Sequence, residues 1–91
     1  MNKWELWDYF DVWGNAEDGY EVNNLAKIEE DIVLTDDTSD DELIDFLIRI
    51  EYLTPECSTD NIEIVSDVDY IELFRKDDHF PICCFRKQYN G

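Results

Sequence analysis

Nine carboxylates fall between Lys27 and Arg49 with no Lys or Arg among them: Glu29, Glu30, Asp31, Asp36, Asp37, Asp40, Asp41, Glu42 and Asp45. Carboxylates at this density can ligate a cation or meet a basic macromolecular surface. The cation reading fits poorly. The run Asp36–Glu42 is rich in oxygen ligands but lacks the alternating Asp/Asn positions, the turn glycine and the distant Glu of a calcium-binding loop. Asp67, Asp69 and Glu72 come no closer to that pattern. The expectation is therefore no specific metal site, with weak non-specific cation binding at most.

Enzymatic chemistry finds little to work with either. The single histidine, His79, sits in the charged segment Lys76–His79 and reads as a surface residue. No glycine-rich phosphate loop, nucleophile elbow or His/Cys metal spacing is present, so no catalytic residue and no cofactor is expected. Cys83-Cys84 lacks the two-residue spacing of a redox or zinc pair and reads as buried free thiol.

The remaining chemistry is electrostatic. Over 91 residues, 24 acids stand against 7 Lys and Arg, a formal net charge of -17. Such charge opposes compaction through self-repulsion, beyond anything solubility requires. The strongly basic surfaces of a cell are mostly those built to hold nucleic-acid phosphates, which makes them the natural partners. Direct binding to nucleic acid is disfavoured by the same charge. Any lone capped helix could begin with Asp40, Asp41 and Glu42. The stronger hint is the expected absence of a compensating cation at i+4 on the exposed helix face, where Asp41 meets Asp45. From Leu73 onward the chain has four basic residues against two acids, so its charge is lopsided.

Side chains two apart on a strand stand ~6.6 Å apart, close to twice the ~3.4 Å rise per nucleotide of one DNA strand. Glu29 with Asp31, and Asp67 with Asp69, are candidates for such phosphate-like pairs. The expected partner-binding set is Glu29, Glu30, Asp31, Asp36, Asp37, Asp40, Asp41, Asp45, Asp67 and Asp69.

These groups need a scaffold, and the composition supplies one. Hydrophobic residues make up 44% of the chain and aromatics 14%, which separates it from a disordered acidic tail. The length suits one domain spanning residues 1–91. No apolar run is long enough to cross a membrane, and Met1–Glu5 does not resemble a signal peptide. Three cysteines, two of them adjacent, make a poor disulfide framework. A reduced cytoplasmic protein that avoids membranes is expected.

Lys3–Trp13 and Tyr20–Ile28 read as a hairpin with a loop of about six residues, given the turn signals Gly14-Asn15 and Asp18-Gly19. Alternation places Trp4, Leu6, Phe10 and Val12 on one face and Trp7, Tyr9 and Trp13 on the other. Apolar groups on both faces suggest that the second is also covered, a second copy of the chain being one candidate. Ile32–Leu34 continues the strand or returns to it after a bulge.

Ser39 with Glu42 forms a capping box, and the apolar stripe Leu43, Phe46, Leu47, Ile50 predicts a helix from about Asp40 to Leu53, ended by Thr54-Pro55. Asn61–Val65, Val68–Arg75 and Phe80–Tyr89 read as strands. The order is ββαβββ. It implies an α+β fold with a mainly antiparallel sheet of about five strands and one helix packed on one face.

The size, acidity, aromatic content and the stretch Trp4–Asn23 (WELWDYFDVWGNAEDGYEVN) resemble small proteins encoded by phages and other mobile elements. Some of these are DNA mimics of the anti-restriction or anti-CRISPR type. The resemblance implies stoichiometric inhibition of a basic nucleic-acid-binding protein, such as a CRISPR effector or a restriction enzyme, through its DNA- or RNA-binding surface. The alternative is an immunity-type or adaptor protein that binds a basic protein surface without mimicry. Exposure of Trp7 or Trp13 would favour an aromatic hot spot over pure electrostatics.

Overall fold

The computed structural model describes residues 2–88. Tyr89, the predicted end of the last strand, lies outside the described residues. The elements are β1 (Asn2–Asn15), β2 (Gly19–Leu34), α1 (Asp40–Arg49), β3 (Ile62–Ser66), β4 (Tyr70–Arg75) and β5 (Pro81–Lys87). They form an α+β fold with a five-stranded sheet in the order β2-β1-β5-β4-β3, every neighbouring pair antiparallel. β5 is thus inserted at the centre, between the hairpin β1–β2 and the meander β3–β4. It pairs with β1 only from Trp4 to Asp8, so the distal half of the long hairpin extends past it.

The hairpin turn is tighter than its sequence suggests, because Gly14, Asn15 and Gly19 remain in the strands. The Asn15 side-chain oxygen accepts from the backbone N–H groups of Glu17 and Asp18 at 3.0 and 2.8 Å. Gly14 has φ +114, and a Cβ there would stand 2.2 Å from the Gly19 carbonyl oxygen, so no other residue fits.

The β1–β2 ladder is irregular. The register shifts between Trp4 and Leu6, between Leu6 and Trp7, and again on both sides of Asp11. Trp4 and Leu6 enter the core as expected, but Phe10 is 61% exposed. Three of these shifts place the extra residue in β2, and only the one between Tyr9 and Asp11 places it in β1, at Phe10, a bulge that a two-residue period read from sequence does not capture. The shift beside Trp4 accompanies Asp31, at φ +57, whose N–H is accepted by the Gln88 side-chain oxygen at 2.7 Å. Ile32 and Leu34 then rejoin the strand as buried residues.

The helix starts as its sequence predicts. Ser39 Oγ accepts from the Glu42 N–H at 3.2 Å, and the Glu42 carboxylate accepts from the Ser39 N–H at 3.4 Å. It ends earlier than predicted, at Arg49. Glu51 takes φ +65, its N–H donates to the Ile48 carbonyl, and the Tyr52 N–H donates to the Leu47 carbonyl, both at 2.9 Å. This is a Schellman motif, which stops a helix ahead of Pro55 by satisfying its last carbonyls. Glycine normally takes the left-handed position. Here Glu takes it, so the sequence gives no stop signal at this point, ahead of Thr54-Pro55.

Leu43, Ile44 and Leu47 of α1 pack with Trp4, Leu6, Ile62, Leu73, Cys83 and Phe85 of the sheet. Burying a Leu or Phe side chain of this kind contributes ~1.5–3 kcal/mol. Phe46 packs partly buried against this core, its ring 6.3 Å from that of Phe85. Beyond the helix stop, the Tyr52 hydroxyl reaches the Asp8 carboxylate and the Ile82 carbonyl. Burial holds its phenol pKa well above the ordinary range, reinforced by the nearby Cys83 and Asp8.

The second sheet face carries Trp7, Tyr9, Glu72, Cys84 and Arg86. Tyr9 donates to Glu72 Oε2 at 2.9 Å, and the Arg86 guanidinium lies 5.5 Å from the Trp7 ring centroid. Cys84 is only 2% exposed there, so its burial is reached within one chain. Among the described residues no helix is long and apolar enough to cross a membrane.

Candidate protein-binding surface

All nine carboxylates from Glu29 to Asp45 are exposed, and the fold gathers them at one edge of the sheet. Glu29, Glu30 and Asp31 lie on β2, an edge strand; Asp36 and Asp37 lie in the following turn; Asp40, Asp41, Glu42 and Asp45 lie on α1. Glu29, Glu30, Asp31, Glu42 and Asp45 line one groove of 420 Å³ between strand and helix, with Phe46 and Arg49. The Thr38 N–H donates to the Thr35 carbonyl at 3.1 Å, and the Asp37 N–H donates to Thr35 Oγ1 at 3.2 Å. These bonds bend the chain from β2 into α1. The acidic loop is therefore an ordered turn.

Three of the nine are ion-paired: Glu30 with Lys27 at 3.2 Å, Asp31 with Lys3 at 3.9 Å, and Asp45 with Arg49 at 3.3 Å. The last pair corrects the expectation of an uncompensated helix face, since Arg49 stands at i+4 from Asp45. The other six, Glu29, Asp36, Asp37, Asp40, Asp41 and Glu42, have no ion pair among the described residues. Exposed pairs of this kind contribute at most ~1 kcal/mol, so the local field stays strongly negative.

The two remaining predicted acids fall on different surfaces. Asp67 shares a cleft of 310 Å³ with Asp36 and Lys87, next to the belt. Asp69 lines a separate basin of 430 Å³ with Tyr9, Glu72 and Arg86. The regular phosphate-like pitch is not formed. Asp31 is in a left-handed conformation, which interrupts the strand geometry between Glu29 and Asp31. Asp67 and Asp69 occupy the β3–β4 turn, closed by the Asp67 N–H donating to the Tyr70 carbonyl at 2.8 Å. A strand spacing applies only where both residues have strand dihedrals.

The cations have positions of their own. Arg75 donates to Asp78 at 2.7 Å and stacks 4.8 Å from the Phe80 ring centroid; this guanidinium holds the Asp78 carboxyl well below the usual carboxylate range. Lys87 lies 5.9 Å from the Trp4 ring centroid, and Lys76 donates to the Thr59 carbonyl at 3.0 Å. His79 Nδ1 stands 2.8 Å from Glu63. Among the described residues no cluster of three or more His, Cys, Asp or Glu could hold a metal ion. All three cysteines are free, and burial raises the thiol pKa of both Cys83 and Cys84.

An exposed aromatic lies outside the acidic belt. Trp13 is 65% exposed on the distal hairpin, whereas Trp7 lies half-buried under Arg86. The signal available in the sequence is the position of Trp13 beside Gly14-Asn15, at the tip of a hairpin, where little can cover it. The chain matches no protein family, no curated protein and no solved structure.

Proposed function

We propose that this protein is a stoichiometric inhibitor, with no catalytic step of its own, that occupies the basic nucleic-acid-binding surface of a host defence protein of the CRISPR-effector or restriction-enzyme kind. It would act in the cytoplasm of the host cell. The observation that carries this reading is the acidic edge where β2 meets α1, with nine exposed carboxylates and six of them lacking an ion pair among the described residues. Such an edge offers fixed anions to Lys and Arg side chains that otherwise hold phosphates. Its ordered turn and capped helix reduce the entropy lost on binding.

The missing regular pitch favours a second reading, in which the protein binds a basic surface as an immunity-type or adaptor protein without imitating a nucleic-acid strand. Competition separates the two, because only a mimic is displaced by nucleic acid. A partner captured from host lysate and eluted with graded salt provides the assay. Changing Asp36, Asp37, Asp40, Asp41 and Asp45 to Asn should weaken binding progressively while circular dichroism stays native, since Asn retains much of the N-terminal capping capacity of Asp. Affinity should also fall steeply with salt. Equal affinity of the fivefold variant and the wild type would remove the belt from the interface.

A further inference from the structure

The hairpin builds one small unit twice. In each copy a Trp indole N–H donates to the carboxylate two residues earlier on β1: Trp7 Nε1 to Glu5 Oε1 at 3.1 Å, and Trp13 Nε1 to Asp11 Oδ1 at 2.7 Å. The first copy is filled from within the chain. Arg86 lies 5.5 Å from the Trp7 ring centroid, and Lys27 Nζ is 3.4 Å from Glu5 Oε2. The second copy has the same construction and no such filling. Among the described residues no Lys or Arg lies over the Trp13 ring or pairs with Asp11.

The reason is topological. β5, which supplies Arg86, pairs with β1 only as far as Asp8. The second unit is nevertheless preorganised. Asn24 Nδ2 donates to Asp11 Oδ2 at 2.9 Å, so both carboxylate oxygens are held, and each keeps a free lone pair. Glu21 stands directly across the ladder from Trp13 and adds a second negative charge. Trp13 is 65% exposed, and Phe10, at the neighbouring register shift, is 61% exposed.

We infer that Trp13 and Asp11, with Glu21 opposite, form a seat for an arginine side chain of the basic partner protein. The guanidinium stacks on the indole face and donates to Asp11, as Arg86 and Lys27 together engage Trp7 and Glu5. Arginine fits better than lysine because it is planar, stacks on aromatic faces and is more weakly hydrated. This inference rests on reading the chain as a binder of a basic protein surface, and it adds a contact point outside the acidic belt.

The test is an NMR titration of the full chain, ¹⁵N-labelled, with a hexa-arginine peptide at moderate salt, following the three indole N–H signals. Trp13 should shift most, while Trp7 and Trp4, whose rings are covered by Arg86 and Lys87, shift little. Trp13→Ala should weaken peptide binding about two- to fivefold, the size of an exposed cation–π contact. Hexa-lysine should move the Trp13 signal less. A Trp13 signal that stays still, equal shifts at all three indoles, or equal effects of the two peptides would overturn the arginine seat. The fivefold Asn variant keeps the two readings apart. If it keeps the Trp13 shift, the seat acts independently of the belt; if wild-type Trp13 stays still while belt substitutions weaken binding of the captured partner, the seat fails and the belt reading stands.

Discussion

The proximal and distal halves of the β1–β2 hairpin are written in the same alphabet of aromatics and acids, yet they end in different environments. Trp4, Leu6, Trp7 and Tyr9 lie beside β5, α1 or β4 and are at least half-buried; Phe10 and Trp13 stand in solvent. The difference comes from where β5 stops pairing, after Asp8, and not from the hairpin's own composition. A strand's pattern tells which side chains share a face. Only its neighbours decide whether that face is covered.

Truncation should expose this contrast most sharply. Leu6→Ala removes a fully buried side chain from the proximal half and should cost ~2–5 kcal/mol in urea denaturation, whereas Phe10→Ala should change stability by no more than ~0.5 kcal/mol. Comparable losses at both positions would mean that the distal half packs in solution.

Alkali should also weaken the packing around β5. Burial raises the phenol pKa of Tyr9, which donates to Glu72, and of Tyr52, which reaches Asp8, and it raises the thiols of Cys83 and Cys84. A group whose folded-state pKa lies above its unfolded value holds its proton longer in the native state. Its stabilisation is complete below the unfolded pKa and is lost as pH rises through the folded one. From these groups, stability should be flat up to about pH 8.5 and decline from there through pH 10 and above, where unfolded thiols and phenols ionise. Urea midpoints measured between neutral and strongly alkaline pH test this, and Tyr9→Phe should flatten the decline. A midpoint that rises across that range would contradict the raised values.

Arg86→Ala tests the comparison from the other side. It uncovers Trp7 and should cost about 1 kcal/mol, the scale of a partly exposed cation–π contact. It should also turn Trp7 into a second arginine seat, visible as a new indole shift with the hexa-arginine peptide. No new shift would mean that exposure alone does not make the seat.

The smallest effect concerns the belt. With six carboxylates unpaired among the described residues, screening by modest salt should raise the melting temperature by a few degrees at most. A fall would show that the ion pairs of Lys3, Lys27 and Arg49 outweigh the repulsion.

Local, sequence-adjacent physics was legible in the chain itself. The Ser39–Glu42 capping box, the Leu43/Leu47 stripe, the place of the Gly14–Gly19 turn and the ββαβββ order each follow from local pattern and appear as expected, the turn with a shorter loop. The charge of the Glu29–Asp45 segment was equally plain. Tertiary structure alone decided the rest. Asp31 leaves strand geometry where Gln88 captures its N–H, Glu51 ends the helix in a left-handed conformation, and Phe10, the extra residue of a bulge in β1, stands past the end of the β5 pairing. The central position of β5 sets Arg86 over Trp7 and leaves Trp13 bare. Each of these depends on groups brought together from distant parts of the chain, and loop closure joins them with no local pattern to announce it.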